Sequence, residues 1–164
     1  MFVQDLEFCG HVMRNGKRMP APGKLTALQK WELPQTVTQL RSFLGVCTYY
    51  SAYVRHFADI VAPLTSMRHL NREEGKKGSK QPLHWTQEGV DSFHNIKTAL
   101  TEKLELYQVH PDQPFVLRTD ASRYAIGAVL EQKVDGNWVP VAFYSRKLVV
   151  NLTNWSPREQ ETYA

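Results

Sequence analysis

An aspartate at the end of a predicted strand is the residue of this sequence best placed for metal chemistry. Residues 115–120 form a short apolar run that ends on Asp120, and residues 125–130 form a second apolar run after a tight turn. A sheet would hold the Asp120 carboxylate at the mouth of a strand, open to solvent or to a metal ion. Such a placement suits Mg²⁺, which takes hard oxygen ligands and usually keeps several waters. The strand alone is equally consistent with an ordinary turn aspartate.

The C-terminal residues predict a helix that carries two further carboxylates. Ser156 is typical of an N-cap, Pro157 of the first helical position, and Glu159 of the third, where it completes a capping box. Glu159 and Glu161 are two residues apart, so they point to different sides of the helix and only one can face Asp120. Their spacing leaves open which of the two does so.

Four motifs around these carboxylates occur in a fixed order, and the set is far more specific than any one member. They are Thr119-Asp120-Ala121-Ser122, Gly127-Ala128-Val129-Leu130-Glu131-Gln132, Phe143-Tyr144-Ser145-Arg146-Lys147-Leu148 and Trp155-Ser156-Pro157-Arg158-Glu159-Gln160-Glu161. Together they resemble the start of the ribonuclease H domain in the reverse transcriptases of gypsy-like LTR retrotransposons.

That resemblance implies hydrolysis of the RNA strand of an RNA/DNA hybrid. Such enzymes use two metal ions, one to activate water and one to stabilise the leaving oxygen, held by about four carboxylates. Asp120 and Glu161 match two of these as catalytic residues and Mg²⁺ ligands, so the resemblance selects Glu161 over Glu159. The other family carboxylates would follow residue 164, and the polymerase aspartates would precede residue 1. We therefore expect this chain alone to be neither a competent nuclease nor a polymerase.

The resemblance extends upstream to regions that would bind nucleic acid. Residues 8–12 resemble the primer-grip hairpin that follows the polymerase palm, and residues 36–50 resemble the thumb signature. In such enzymes the thumb helices lie along the backbone of the primer–template. The residues thereby implied in nucleic-acid binding are Gly10, His11, Lys24, Lys30, Arg41 and Arg55. Each of the four cations could equally be a solvated surface charge.

Three tyrosines and two cysteines invite a functional interpretation but are better explained as core residues. Tyr49, Tyr50 and Tyr53 could stack on bases, yet their helical spacing favours packing. Cys9 and Cys47 are too few and too isolated for a disulfide framework or a metal site. We expect both to be reduced and buried.

The net charge of +4 conceals an asymmetry along the chain. Residues 14–80 contain 12 Lys or Arg and 4 Asp or Glu, a charge of +8, whereas the remainder has 8 against 12, or −4. A basic region of this size provides what a phosphate-binding surface needs. From charge alone, a solvated basic face without a partner is the simpler explanation.

Length and composition limit the class of protein. A chain of 164 residues holds one domain or pieces of two, and its 42% hydrophobic content is ordinary for a globular protein. It has no apolar run of 18 residues, so we expect no membrane insertion by this chain. The N-terminus lacks a signal-peptide pattern, so we expect an intracellular, not secreted, protein of undetermined compartment.

The N-terminal part predicts a hairpin followed by helices. Residues 6–20 predict a hairpin about Asn15-Gly16, with residues 6–13 as its first strand. Pro22 suits the first turn of a helix that reaches about Trp31. Thr36 and Gln39 predict a capping box for the next helix. The positions of this helix expected to be buried are Val37, Leu40, Phe43, Leu44 and Cys47. A third helix is expected to end at Pro63 and to carry Tyr53, Val54, Phe57, Ile60 and Val61.

The C-terminal part changes from helical periodicity to strands. Residues 71–81 predict an exposed loop, Thr86 the N-cap of a further helix, and residues 106–114 a connector. The stripe expected to be buried on that helix is Phe93, Ile96, Leu100 and Leu104. Residues 115–120, 125–133 and 138–145 predict three strands, and Pro140 favours an edge or a bulge in the third.

These elements predict an α+β fold. It consists of an N-terminal hairpin and a helical thumb and connection, followed by an incomplete RNase H-like α/β domain of three antiparallel strands and then a helix. The expected boundaries are 1–70 for hairpin and thumb, 71–112 for loop and connection helix, and 113–164 for the nuclease part.

Two functions from different classes are consistent with this organisation. The first is a fragment of a retroelement reverse transcriptase and ribonuclease H that binds a primer–template or RNA/DNA hybrid. The alternative is a non-enzymatic, retroelement-derived subunit that takes part in a larger assembly. In either case the incomplete sheet would expose an edge and an apolar face, which a protein partner could cover.

Overall fold

The computed structural model of this chain describes residues 5–70, 82–102, 104–122, 124–148 and 156–163. The strands are β1 (Asp5–Phe8), β2 (His11–Arg14), β3 (Lys17–Pro20), β4 (Leu106–Tyr107), β5 (Phe115–Ala121), β6 (Ala125–Val134) and β7 (Asn137–Lys147). The helices are α1 (Pro22–Gln29), α2 (Val37–Tyr49), α3 (Phe57–Leu70), α4 (Gln87–Thr101) and α5 (Pro157–Tyr163), with a 3₁₀ turn at Ser51–Tyr53. The loop predicted at 71–81 lies outside the described residues, as does Trp155 of the fourth motif.

The N-terminal sheet has four antiparallel strands in the order β1-β2-β3-β4, where a single hairpin was predicted. The expected strand over residues 6–13 is wrong because the chain reverses at Cys9 and Gly10, whose φ angles are 49° and 75°. Asn15 and Gly16 make the predicted turn, with φ of 51° and 69°. Positive φ at both central residues is what a tight hairpin turn requires. Cysteine gives no local signal for such a conformation, so the residue pattern missed this turn, and only the resemblance of residues 8–12 to the primer-grip hairpin implied it.

The predicted connector at 106–114 also contains a strand. Leu106 and Tyr107 form β4 and pair with Arg18 and Lys17 of β3. The Lys17 ammonium lies 2.8 Å from the Glu105 carboxylate beside this pairing. A strand of two residues is too short to show an alternation of apolar and polar residues in the sequence. It is defined only by its pairing with β3 of the hairpin.

The capping box predicted for α2 is present. The Thr36 hydroxyl accepts from the Gln39 amide at 3.3 Å, and the Gln39 side chain accepts from the Thr36 amide at 3.2 Å. The five predicted apolar positions of this helix are all buried, namely Val37, Leu40, Phe43, Leu44 and Cys47.

The third helix begins later and continues further than predicted. Tyr53 belongs to the 3₁₀ turn and Val54 is extended. His56 has a φ of 55°, so α3 starts only at the next residue. Pro63 lies inside α3 instead of ending it, although an interior proline removes a hydrogen bond and costs about 3 kcal/mol. Beyond it, Leu64 and Met67 are buried, and this burial favours continuing the helix.

A single cluster of apolar side chains joins α2, α3 and α4. At its centre the rings of Phe43 and Phe93 lie 4.7 Å apart between centroids. Ile96 and Leu100 of α4 are completely buried in it, as predicted. The prediction for Leu104 is wrong, because α4 ends at Thr101 and Leu104 is only partly buried beyond it. Helix α4 is capped by Thr86, whose hydroxyl accepts from the Gly89 amide at 3.1 Å, also as predicted.

The second sheet contains the three strands predicted, in the antiparallel order β5-β6-β7. Its register shifts where Leu130 pairs with Ala142 and Glu131 pairs with Pro140. Val141 is therefore the extra residue of a bulge, and its side chain is buried. The bulge predicted from Pro140 is confirmed, since proline cannot donate to a regular ladder.

One buried glutamine explains why the second motif ends as it does. Gln132 is fully buried in β6. Its side-chain oxygen accepts from the His110 amide at 2.9 Å, and its amide nitrogen donates to the carbonyls of His110 and Gln113 at 2.8 and 3.0 Å. These bonds fix the segment that leads into β5. Any other arrangement of this segment would leave the buried Gln132 amide without partners, which would lower the free energy of unfolding.

Candidate active site and nucleic-acid interface

Asp120 lies in β5, one residue before the strand ends, and its side chain is exposed. Across the sheet it pairs with Gly127 of β6, and Gly127 in turn pairs with Ser145 of β7. Asp120 and Gly127 line a cavity of about 250 Å³. The residues lining it are Arg55, His56, Arg118, Thr119, Asp120, Gly127, Ala128, Val129 and Tyr144.

The turn before α3 forms one wall of this cavity. Arg55, which the sequence assigned to the thumb, shares the cavity with Asp120. His56 lies against Gly127, whose missing Cβ would be 3.6 Å from the His56 Nδ1. Sequence reasoning did not place either residue beside Asp120. The left-handed φ of His56 sets this approach, and nothing in the local sequence signals it.

A second arginine in the cavity is already paired. The Arg118 Nε lies 2.6 Å from the Glu131 carboxylate on the neighbouring strand. Arg55 is exposed. We therefore regard Arg55 as the better candidate for binding an incoming anion.

Helix α5 uses one of its two candidate glutamates as a cap. Glu159 accepts from both the amide and the hydroxyl of Ser156 at 2.8 Å, which confirms the predicted capping box. The hydroxyl and amide of Ser156 lower the pKa of Glu159, because they stabilise its charged form. The helix lies near β5, and Glu161 is exposed on it. With Glu159 engaged at the cap, the metal-ligand role remains a prediction for Glu161.

The carboxylate of Asp120 has the right chemistry for Mg²⁺, but the described residues assemble no complete site. No group of three or more His, Cys, Asp or Glu side chains that could hold a metal ion occurs among them. Hard oxygen ligands of this type suit Mg²⁺, which fills its remaining positions with water or substrate oxygens. The fit is therefore that of a contributor to a metal site.

Two tyrosines at the end of α2 hold the β1–β2 turn. The Tyr49 hydroxyl donates to the Cys9 carbonyl, and the Tyr50 hydroxyl donates to the Gly10 carbonyl at 3.3 Å. A Cβ on Gly10 would lie 3.1 Å from the Tyr50 oxygen. Gly10 is thus required both for its positive φ and for this close approach.

His11 lies between aromatic rings directly after that turn. It stacks on Tyr49, with centroids 5.2 Å apart, and its Nδ1 lies 2.8 Å from the Tyr53 hydroxyl. Burial lowers the pKa of His11, and the Arg18 guanidinium lowers it further. The imidazole is therefore neutral at pH 7. Any contribution of His11 to nucleic-acid binding would come from its ring or a hydrogen bond, not from charge.

The tyrosine and cysteine predictions are partly wrong. Tyr50 and Tyr53 are buried, as expected, but Tyr49 is 50% exposed. Cys47 is buried, and burial raises the pKa of its thiol to about 12. Cys9 is exposed because it lies in the β1–β2 turn.

Tyr49 belongs to an exposed stripe along α2. Arg41, Gly45 and Tyr49 are spaced by four residues and are all exposed, as neighbours on one helical face must be. A Cβ on Gly45 would meet nothing within 4 Å, so the helix backbone is open to approach there. Reading the polar side of the helix with the period of its buried side would have identified this stripe from sequence.

A groove of about 510 Å³ adjoins this stripe. It brings together Gly10, Lys24 and Tyr49, and His11 is stacked on Tyr49 nearby. Its apolar wall consists of Ala27, Leu28, Trp31, Val46 and Tyr50. Of the six residues predicted to bind nucleic acid, Gly10, His11 and Lys24 thus meet here and Arg41 lies on α2. Lys30 is exposed just after α1, and Arg55 belongs to the Asp120 cavity.

Comparison with protein families identifies the C-terminal half. Residues 85–164 match the family described as the RNase H-like domain found in reverse transcriptase. Within the described ranges, no helix combines the length and apolar character needed to cross a bilayer.

The chain also aligns along nearly its whole length with Pol polyproteins. It is 32% identical over 162 residues to the retrovirus-related Pol polyprotein from transposon opus of Drosophila melanogaster, covering 98% of this chain and 16% of that protein. The protein from transposon gypsy of the same organism is 31% identical over 167 residues, with coverages of 99% and 16%. The Gag-Pol polyprotein of Koala retrovirus is 31% identical over 153 residues, with coverages of 93% and 8%. The chain therefore spans 16% or less of the length of these relatives.

Solved structures confirm the mixed helix-and-strand fold. A foamy viral protease-reverse transcriptase in complex with dsDNA aligns with a TM-score of 0.80 and 23% identity, covering 97% of this chain and 32% of that chain. The same viral enzyme in complex with an RNA/DNA hybrid gives a TM-score of 0.80 and 22% identity, with coverages of 98% and 21%. Identities this low establish the fold alone.

The close approach at Gly10 predicts a destabilisation larger than that of a matched glycine. Gly10→Ala combines an unfavourable left-handed φ, worth about 1–2 kcal/mol, with overpacking against Tyr50, worth about 1–3 kcal/mol. Gly16→Ala has the same φ problem but open space around it. We expect urea unfolding to show the larger loss for Gly10→Ala. Equal losses for the two variants would contradict the packing of Tyr50 on the turn.

The lowered pKa of His11 predicts a stability change in acid. The unfolded chain binds a proton near the ordinary pKa of 6.5, whereas the folded chain binds it only at lower pH. Stability is therefore independent of this group above that pH and falls as pH decreases below it. We expect His11→Gln to lose less free energy of unfolding than the parent between about pH 7.5 and about pH 5.5. The same pH dependence in both proteins would argue against burial of the ring.

Proposed function

Residues 85–164 belong to the family of RNase H-like domains found in reverse transcriptase, and from that premise we propose two tasks for this chain. It binds the primer–template of a retroelement reverse transcriptase, and it supplies part of the ribonuclease site of that enzyme. The observation that carries the proposal is the exposed stripe of Arg41, Gly45 and Tyr49 beside the Gly10 turn.

The stripe has the chemistry that a nucleic-acid backbone requires. Residues 33–58 contain two arginines and no acidic residue, so α2 itself presents no negative charge to a phosphate. Gly45 lets a backbone approach the helix closely. The exposed ring of Tyr49, supported by His11, offers a flat surface for a base or sugar. Lys24, in the adjoining groove, adds a positive charge at the same place.

The solved relatives support nucleic acid as the ligand. The foamy viral enzymes of the same fold are described in complexes with dsDNA and with an RNA/DNA hybrid. We transfer this ligand class to the chain because the exposed ring of Tyr49 and the side chain of Lys24 line one open groove. Phosphate contacts of this type are released by salt, since binding displaces counterions.

The Asp120 cavity accounts for the ribonuclease part of the proposal. Asp120 and Glu161 are the residues that would hold Mg²⁺, which when bound supplies Lewis-acid stabilisation and an activated water. Arg55 lies in the same cavity and would bind a phosphate of the cleaved strand. Two carboxylates are about half of what a two-metal site needs, so the 164-residue chain alone is proposed to be inactive.

Hybrid binding should depend on Tyr49 and Arg41 in different ways. Tyr49→Ala removes a stacking surface, worth about 1–3 kcal/mol per base, and should weaken affinity for a labelled RNA/DNA hybrid about 5- to 150-fold. Arg41→Gln removes a phosphate contact and should reduce the salt slope of the binding constant by about one. Fluorescence anisotropy at several salt concentrations measures both.

A matched aromatic control tests whether a loss of affinity is specific to this surface or follows the removal of any exposed aromatic ring. Trp138 is an exposed aromatic residue of the β6–β7 hairpin, and Trp138→Ala should leave hybrid affinity unchanged. An equal loss for Tyr49→Ala and Trp138→Ala would contradict the proposed interface.

Cleavage tests the second part of the proposal. The natural protein that contains this chain should cleave the RNA strand of a hybrid with Mg²⁺, and Asp120→Asn should lower the rate more than about 100-fold, because even changes behind metal ligands cost 10- to 100-fold. Hybrid affinity should stay within about two-fold, since Asp120 acts on the reaction.

Three outcomes would change the proposal. Robust cleavage by the 164-residue chain alone would show that its site is complete. Normal cleavage by Asp120→Asn would exclude the assigned carboxylate. A natural protein that neither cleaves nor binds the hybrid, but binds a protein partner independently of salt, would establish the non-enzymatic alternative.

A further inference from the structure

The beginning of α3 is attached to the sheet that carries Asp120. The Ala58 amide donates to the Ser145 hydroxyl of β7 at 3.1 Å. The Ser122 hydroxyl donates to the Asp59 carboxylate at 2.6 Å. Together with the contact of His56 on Gly127, these bonds join segments that are 63 to 87 residues apart in sequence.

Ser145 acts as a cap for a helix to which it does not belong. The first amides of a helix lack partners within that helix, and Ala58 is the second residue of α3. A hydroxyl from β7 satisfies its amide. Asp59 lies in the first turn, where a negative charge is favourable at the positive end of the helix dipole. The sheet thus supplies an acceptor for an amide at the start of α3, and the helix dipole stabilises the Asp59 carboxylate beside it.

Ser122 closes the turn between β5 and β6. Its amide donates to the Ala125 carbonyl at 2.8 Å. Its hydroxyl oxygen accepts from the amides of Tyr124 and Ala125 at 3.2 and 3.0 Å. The hydroxyl proton is left for an acceptor, and the Asp59 carboxylate at 2.6 Å is closer than the Ala125 carbonyl at 3.1 Å.

The bond to Asp59 thus reaches the candidate metal ligand through a short path. Asp120 precedes Ser122 by two residues, so β5 leads directly from the metal ligand to the tethered turn. On the other side, Asp59 follows Arg55 by four residues, and Arg55 lines the Asp120 cavity. The tether therefore connects the two walls of that cavity.

We propose that Asp59 is a positioning residue of the ribonuclease site, acting on Asp120 through the Ser122 hydroxyl. The Asp59–Ser122 bond holds the β5–β6 turn at a fixed distance from Arg55, so that the carboxylate and the phosphate-binding arginine face one substrate strand. This inference rests on the proposed function. Displacements of about 1 Å at a reacting centre can lower rates about 100-fold, which makes such a tether consequential.

The test uses the natural protein that contains this chain and an RNA/DNA hybrid with Mg²⁺. Asp59→Ala and Ser122→Ala should each lower kcat about 10-fold, while KM and hybrid affinity stay within about two-fold, because position and not binding is lost. The double variant should be no slower than either single variant, since both remove the same bond.

A conservative variant and a matched control test whether the effect on kcat comes from the Asp59–Ser122 hydrogen bond. Asp59→Asn keeps an oxygen that can accept the Ser122 hydroxyl, so its kcat should stay within about three-fold of the parent. Asp91 is an acidic residue of α4 that bonds to Gln87 at 2.9 Å, and Asp91→Ala should leave kcat and KM unchanged.

Several results would overturn the positioning role. These are a parent-like kcat for Asp59→Ala, additive losses in the double variant, or a loss for Asp59→Asn as large as for Asp59→Ala. A drop in thermal stability and hybrid affinity parallel to kcat would indicate a purely structural contact.

Amide hydrogen exchange tests the Asp59–Ser122 bond independently of catalysis. Asp59→Ala should increase exchange of the Ser122 and Ala125 amides about 10-fold, because a freed turn opens locally, whereas Asp91→Ala should not. A parent that never cleaves the hybrid would overturn the proposed function and the positioning role with it. Unchanged exchange would overturn the tether itself, whatever the activity.

Discussion

The packing of Phe43 on Phe93 fixes the relative positions of the helices, and both sheets depend on it. Around this pair, α2, α3 and α4 bury one continuous apolar cluster. Leu106, at the start of β4, reaches the same cluster from the first sheet, and Phe143 of β7 packs on it from the second. Because apolar interiors are packed as densely as organic crystals, shifting one helix would displace both sheets. The turn at Gly10 and the cavity at Asp120 are therefore held by one shared core.

Each candidate site combines side chains from segments that are far apart in the sequence. At the proposed nucleic-acid surface, Tyr49 and Tyr50 hold the carbonyls of Cys9 and Gly10, forty residues earlier in the chain. At the Asp120 cavity, the turn before α3 places Arg55 and His56 beside Asp120. The segment between α2 and α3 thus serves both surfaces: its first residues continue the tyrosine cluster, and its last residues enter the cavity. A movement of α2 or α3 would therefore displace residues at both places.

Much of the fold was predictable because its signals are local. Capping boxes at Thr36 and Ser156 lie within four residues, the buried stripes of α2 and α4 repeat every three or four residues, and Pro140 predicts its bulge from backbone chemistry alone. Pro63 misled for the same reason: a local rule was overridden by the burial of Leu64 and Met67 further along the helix. Cys9 misled because cysteine rarely adopts a positive φ, and the distant tyrosines that stabilise this turn leave no trace nearby.

The sequence by itself determined the family, the strands around Asp120 and the glutamates of the last helix, since motifs and periodicity are properties of short segments. Only the tertiary structure decided that the Tyr49 hydroxyl holds the Cys9 carbonyl and that Arg55 belongs to the cavity of Asp120. It alone revealed the bond between Asp59 and Ser122 across 63 residues. Such contacts form when elements are brought together by the burial of apolar surface, and no spacing along the chain encodes which polar groups will then meet.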